Sequence, residues 1–288
     1  MKVAILTTDT LHHTYFVKKI TETFKIDSII IERDFAPFKY HTMHRFEWID
    51  RPEYEINRWF NTSDSPLFSM SEMFDNVYNC KNVNDQIVYF KKEKFDLGIV
   101  FGTGKVSKDV IACFKLLVNL HGGDPSKYRG LDSHLWSIYH NDFNLSVALH
   151  IVEPRLDTGG IIFRRDLILP DELYKLRATT TEVCINLVKT FLSINWNYLS
   201  INWNCLSSDS ERSKDIDISL FSNKQPQIGR YYSAMPACLK DVVVKKYEKE
   251  IFIRKLSVVG IKGTKAGREL RSELEHIKSE FIDFGEGY

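Results

Sequence analysis

No run of the chain approaches the roughly 18 consecutive apolar residues that a membrane helix needs, so no spanning segment and no membrane partner is expected. Charge of one sign is also missing. Lys and Arg (39) nearly balance Asp and Glu (38), and a net charge of +1 gives no general attraction to nucleic acid or to an anionic surface. Cysteine is sparse and scattered: Cys80, Cys113, Cys184, Cys205 and Cys238 make no C-x-x-C pair and have no histidine at zinc spacing. Neither a metal site nor a disulfide framework is therefore expected, and the thiols read as reduced and cytoplasmic. The opening Met1-Lys2-Val3-Ala4-Ile5-Leu6 lacks the separate charged, apolar and cleavage regions of a signal peptide. No P-loop or long dinucleotide fingerprint occurs, since Gly102-Thr103-Gly104-Lys105 has the spacing of neither.

What is present is enough for a sizeable core: 288 residues, 43% of them hydrophobic. Residues 3–6 read as a buried strand, 7–10 as a polar loop with capping chemistry, 11–24 as a helix and 28–31 as a second parallel strand, which together make a βαβ unit. The helix N-terminus after the first strand faces the sheet's carboxyl edge, where anions and polar ligands collect. Residues 35–68 are rich in aromatic and charged side chains, with helical spacing at 53–60. They suit a surface helix over a sheet edge, or an aromatic wall for a ring-bearing ligand. Short strands are expected at 77–80 and 97–101, the second buried on both faces, with helices at 85–93 and 107–114. Further strands are expected at 115–119, 145–152 and 161–169, and helices at 131–140 and 181–192. The fold class is α/β, a mostly parallel twisted sheet of Rossmann type over about residues 1–190, with a smaller mixed region at 191–288.

The texture changes at 193–199, nearly copied at 200–206. Inserted within a helix, such a heptad rotates the later turns by only about 20°, so the duplication reads as a tolerated expansion. A polar linker is expected at 207–217, a strand around Arg230-Tyr231-Tyr232, a helix at 236–255 and a charged amphipathic segment at 267–284.

The stretch Asn119-Leu120-His121-Gly122-Gly123-Asp124-Pro125-Ser126-Lys127-Tyr128-Arg129-Gly130 comes directly after an apolar run. Two positions apart on a strand, Asn119 and His121 project from one face, an amide donor beside an imidazole. Asp157 stands at the end of another expected strand, a neighbour at the same edge if the two are parallel. A carboxylate there would orient the imidazole and support its charged form, giving an amide, base and carboxylate set suited to acyl transfer. Any one of the three alone reads more simply as a turn or cap residue.

Taken together, Asn119-Leu120-His121, Lys127-Tyr128-Arg129-Gly130 and Leu156-Asp157-Thr158-Gly159 resemble the signature of the formyltransferases that use 10-formyltetrahydrofolate. The resemblance covers about residues 1–190 and implies a Rossmann-like catalytic domain. It makes Asn119, His121 and Asp157 the catalytic three. It also implies a folate donor, N10-formyltetrahydrofolate, with its pterin against Gly102, Gly104, Lys105, Val106, Leu117, Val152, Glu153 and Leu156, and no metal. The chain departs from many members at Gly123-Asp124-Pro125-Ser126, where they carry Ser, two leucines and a proline. That puts the acceptor, not the chemistry, in question, and Asp124 is expected to face it.

Candidate acceptor contacts are Thr8, Asp9, His12, Asp124, Tyr128, Arg129, Arg230, Tyr231 and Tyr232. A glycine-free Thr7-Thr8-Asp9-Thr10 loop disfavours glycinamide ribonucleotide, and a mildly basic C-terminal region disfavours tRNA. Arg230 and the tyrosines suit a pyrophosphate and a base, so the expected acceptor is a nucleotide-linked amino sugar, a dTDP-amino-dideoxy sugar first, used for surface polysaccharide such as O-antigen. The Tyr231-Tyr232-Ser233-Ala234-Met235-Pro236 run also resembles segments near the C-terminus of sugar N-formyltransferases. The bland reading of these side chains is strand packing or a dimer contact, and a homodimer is expected. Methionyl-tRNA formyl transfer, formate release by water, and folate or nucleotide-sugar binding without catalysis are the other readings.

Overall fold

The computed structural model describes residues 1–33, 51–60, 69–206 and 223–258. The aromatic stretches at 35–50 and 61–68, the polar segment at 207–217 and the amphipathic segment at 267–284 lie outside the described residues.

Five short runs without polar alternation form the parallel part of one seven-stranded sheet. They are β1 (Val3–Thr7), β2 (Ser28–Glu32), β3 (Val77–Cys80), β4 (Leu97–Phe101) and β5 (Leu116–His121). β1, β2 and β4 are buried at every position, as strands covered on both faces must be. The order is β3-β2-β1-β4-β5, continued by β7 (Ser146–Ile151) and β8 (Ile161–Asp166). β7 runs antiparallel to β5 and β8 antiparallel to β7, so the mostly parallel α/β architecture stands, but one expectation changes. Asp157 does not reach the site from a parallel neighbour. It arrives on the loop between β7 and β8, which folds back beside β5.

Helix α1 (Leu11–Thr21) buries His13, Phe16, Val17 and Ile20, the stripe that 3.6-residue periodicity puts on one side. On that side of the sheet it packs with α7 (Leu176–Leu206), which buries Cys184, Leu187, Val188 and Phe191 at the same spacing. The other side is covered by α4 (Ile87–Glu93) and the short α5 (Lys108–Ile111), with Phe90, Phe95, Val110 and Phe114 in one cluster. α5 is one turn long where a helix over 107–114 is expected: Ser107 caps it by accepting Val110 N–H, and β5 starts at Leu116.

α7 is far longer than the expected 181–192. It runs unbroken through both heptad copies and past residue 190, so that expected boundary falls inside a helix. Helix α2 (Pro52–Trp59) lies against α1 and α7: buried Glu55 pairs with Arg177 (2.6 Å), Arg58 with Glu182 (2.6 Å), and Trp59 stacks on Tyr15 at 4.6 Å. Trp59 and Phe60 are buried there, as packing and not as an open aromatic wall. The chain then returns through β9 (Arg230–Tyr232), which pairs in parallel with β6 (Tyr128–Gly130), a strand the sequence did not suggest. Between them in sequence, α6 (Ser133–Tyr139) supplies the wall on which α8 (Ala237–Val258) packs.

At the end of β2, Glu32 is 2% exposed and its carboxylate accepts two backbone N–H groups, from Val83 (3.1 Å) and from Gly104 (2.7 Å). It therefore ties the 102–106 loop to the sheet edge. Replacing it with alanine strands the buried Val83 N–H, and a loss of about 1–3 kcal/mol in unfolding free energy is expected in urea titrations. An unchanged midpoint would show that water replaces both bonds.

Candidate active site

β5 delivers Asn119 and His121 to one face, two residues apart. Because β5 and β7 are antiparallel, Asn119 sits directly opposite His150 and His121 opposite Ala148. His150 is 2% exposed, and it is the site residue that sequence reasoning missed. Its Nδ1 lies 2.7 Å from the carbonyl oxygen of Ile151, which can only accept, so the proton is on Nδ1 and Nε2 is an acceptor. Asn119 Nδ2 lies 3.1 Å from that Nε2 and 3.4 Å from Asp157 Oδ1. The imidazole thereby fixes which end of the Asn119 side chain is the donor.

Asp157 takes a left-handed conformation with φ +53°, a region that costs a non-glycine residue about 1–2 kcal/mol. This turn throws its carboxylate back toward β5. Oδ2 accepts Gly130 N–H at 2.9 Å and lies 3.6 Å from His121 Nδ1, while Oδ1 lies 3.4 Å from His150 Nε2. Burial works against the charge of Asp157, but the His121 and His150 imidazoles when protonated, together with the Gly130 N–H, outweigh it and hold the carboxyl down at about 2. His121 Nε2 is 2.8 Å from the Tyr128 carbonyl oxygen and 3.1 Å from Ser133 Oγ, whose own proton goes to the Gly130 carbonyl. Nε2 thus carries the proton, and the lone pair is on Nδ1, facing Asp157. Burial lowers the His121 pKa from its ordinary 6.5, an effect that Asp157 only partly offsets, so the ring is a neutral base at neutral pH.

His121 opens onto a cavity of about 310 Å³ that is also lined by His12, Phe101, Gly130, Arg177 and Lys240. Asn119 and Asp157 are not among its lining residues but are joined to His121 through the contacts above. Of the residues implied for the donor, three lie together. Val106, Leu117 and Val152 belong to one apolar cluster, with Val152 N–H bonded to Leu117 O, and Gly102 leaves β4 at φ +92°, where an added Cβ would strike the His13 ring at 2.1 Å. Lys105 O accepts from Asn84 Nδ2, Glu153 from Thr158 Oγ1, and Leu156 O from Arg129.

The acceptor-side expectations divide. His12 lines the cavity, whereas Thr8 Oγ1 is bonded to His13 Nδ1 (2.8 Å) and Asp9 is paired with Arg33 (2.8 Å). Asp124 does not face the cavity as expected. It is 7% exposed, its Oδ1 accepts the N–H and hydroxyl of Ser126, and its Oδ2 pairs with Arg164 at 3.0 Å. Asp124 and Ser126 together build the turn after the two glycines. Arg129 is likewise a buried clamp, donating to Gly229 O (2.6 Å) and Leu156 O (2.8 Å). Tyr128 and Tyr232 stack in an aromatic group with Trp136 and His140, and Arg230 lies over the Tyr232 ring. Tyr231 remains 54% exposed, its ring against Gly130 at the cavity edge.

Two more buried histidines join His121 in giving the fold an acid limit. Burial lowers His13 to about 3 and His134 to about 4, the His134 shift partly offset by its bond to Ser146 O, and His121 moves in the same direction. The unfolded chain takes up these protons first, so stability is fully present above about pH 6.5 and falls as pH drops, by up to about 1.4 kcal/mol per pH unit for each ring still neutral in the fold. Urea midpoints measured at pH 7 and pH 5 should differ accordingly, and equal midpoints would mean the rings are solvated.

No family model matches the chain. Over 82 residues it is 37% identical to a methionyl-tRNA formyltransferase of Myxococcus xanthus, a match covering 26% of this chain and 26% of that protein, so it spans about a quarter of that curated relative's length. Among solved structures it superposes on HypX from Aquifex aeolicus with a TM-score of 0.52 at 14% identity, over 87% of this chain and 34% of that one. A 4-N formyltransferase from Francisella tularensis superposes with a TM-score of 0.50 at 12% identity, over 85% of this chain and 87% of that one. In fold, and in the order of its strand-end motifs, the chain resembles the formyltransferases.

Proposed function

We propose that this chain is an N-formyltransferase that moves a formyl group from N10-formyltetrahydrofolate to the amine of a nucleotide-linked amino sugar. The observation that carries the reading is the convergence of Asn119, His121 and Asp157 beside the cavity that His121 opens onto. The apolar cluster of Val106, Leu117 and Val152, next to the backbone of Gly102 and Gly104, suits a flat pterin.

The acceptor nitrogen bonds to the formyl carbon of the donor as the C=O pair moves onto oxygen, and when that pair returns the bond to N10 breaks, N10 leaving with the proton that His121 took from the amine. As negative charge grows on the formyl oxygen, Asn119 Nδ2 donates to it the hydrogen that otherwise makes the long bond to Asp157 Oδ1, while its other hydrogen stays on His150. His121 Nδ1 takes the proton that the attacking amine must lose, and Asp157 Oδ2 stabilises the imidazolium that results. The Tyr128 carbonyl holds the ring in the one tautomer that leaves Nδ1 free.

The acceptor rests on β9. Tyr231 offers an exposed ring at the cavity edge for stacking a base, and exposed Arg230 a cation for a pyrophosphate. Thr8, Asp9, Asp124 and Arg129 leave the acceptor set, because their polar groups are used within the fold. A second reading, methionyl-tRNA as acceptor, is favoured by the partial sequence match alone. To separate them, dTDP-, UDP- and GDP-amino sugars and charged methionyl-tRNA are each offered with the formyl donor, and products are weighed by mass spectrometry. A formyl gain on an amino sugar supports the proposal. Gain on methionyl-tRNA alone overturns the acceptor, and formate release without any amine overturns the transfer.

A further inference from the structure

Asp157 holds a left-handed backbone conformation, and nothing on the catalytic strands bonds to its carbonyl. The group that does comes from 68 residues further along the chain. Gln225 is 8% exposed, and its Nε2 donates to Asp157 O (3.0 Å) and Gly159 O (2.9 Å), the two carbonyls that bracket the turn. The segment carrying Gln225 is fastened on both sides. Asn223 and Ile161 exchange both backbone bonds at 2.8 Å, Gly229 N–H donates to Pro125 O, Gly229 O accepts from Arg129, and β9 pairs with β6. Gly159 cannot move inward to make room, because even a Cβ there would stand 2.0 Å from Ile151 O. Gln225 thus reaches the turn from a rigid support.

We infer that Gln225 is a positioning residue: its amide fixes the turn that holds the Asp157 carboxylate opposite His121 Nδ1. It touches neither His121 nor the cavity, so it acts only through Asp157. Its Oε1 is buried with no protein hydrogen-bond partner among the described residues. Methionine, of similar length, removes the unsatisfied Oε1 but leaves the Asp157 and Gly159 carbonyls without their donor, so the fold of the variant is checked first. Glutamate keeps the shape and sets carboxylate oxygens against the two carbonyls.

The inference rests on the formyl-transfer reading only for its kinetic arm. Gln225→Met and Gln225→Glu are compared with wild type, with Asp157→Asn, and with Gln227→Met at an exposed neighbour. Two readouts are used, the NMR titration of the His121 ring and formyl transfer. In the Gln225 variants the His121 midpoint is expected to move to lower pH, because the imidazolium loses its aligned carboxylate. At the same time kcat falls about 10- to 100-fold, the range seen when outer supporting partners are removed, with KM values unchanged. Gln227→Met leaves both readouts at wild type. A folded Gln225→Met with wild-type midpoint and kcat, while Asp157→Asn alters both, overturns the inference. Should the Gln225 variants fail to fold, the native protein is read instead: slow exchange of the Gln225 side-chain amide and through-bond coupling to the Asp157 and Gly159 carbonyl carbons support it, and fast exchange without coupling overturns it. A shifted His121 midpoint without transfer activity even in wild type would sink the formyl-transfer reading and leave the Gln225 assignment standing.

Discussion

His121→Asn is expected to lower turnover about 10²- to 10⁴-fold, the span of a lost general base. The reason is specific to one atom. Nε2 is committed to the Tyr128 carbonyl and Ser133, so Nδ1 is the only ring atom with a lone pair to offer, and Asp157 Oδ2 at 3.6 Å waits for the proton that arrives there. Asparagine can donate to the Tyr128 carbonyl but cannot take up a proton. In the wild type, kcat/KM should rise with pH through a midpoint below 6.5 and then level off, because burial lowers the ring's pKa more than Asp157 raises it. In His121→Asn that limb should vanish from the profile. A limb that persists at the same midpoint would assign the base to another group.

The second large effect belongs to Asn119. Asn119→Ala should cost about 10² to 10³ in kcat, the typical loss on removing one oxyanion donor. KM for donor and acceptor should change little, because the bond strengthens only as charge develops. His150 across the strand pair takes one of the two amide hydrogens, and the other, in a long bond to Asp157 Oδ1 at 3.4 Å, is the one to be passed to the formyl oxygen when it arrives. A variant that instead raised KM with kcat intact would make Asn119 a binding residue. Unfolding curves on the same preparation separate either outcome from a loss of fold, since Asn119 is only part-buried.

The parallel half of the sheet and the pairing of Asn119 with His121 were legible because both rest on local pattern. Apolar runs at 3–6, 28–31 and 97–101 carry no alternation, and a two-residue spacing on any strand puts side chains on one face. The features that could not be read depend on register between distant strands. His150 is an apolar-strand histidine until the antiparallel pairing of β5 and β7 sets it opposite Asn119. The motif around Asp157 marks it as a participant, yet its route by a left-handed turn is visible only in the backbone.

Asp124 misled for a related reason. An acidic residue after two glycines looks free in the sequence, while its partner Arg164 lies 40 positions on, in β8. The buried clamp made by Arg129 and the reach of Gln225 are likewise contacts over 27 to 100 residues, for which no local signal exists. The duplication at 193–206 was legible in its consequence, since α7 continues through both copies as a heptad insertion allows.

The most direct measurement is the rate at which the folded double variant Asn119→Ala, His121→Asn releases tetrahydrofolate from N10-formyltetrahydrofolate in the presence of an accepted amine, monitored by absorbance beside the wild type. If these two side chains carry the transfer, the double variant keeps the wild-type unfolding curve and loses turnover to near background, with no formyl gain on the acceptor. Turnover close to wild type in that folded double variant would contradict the assignment of the site.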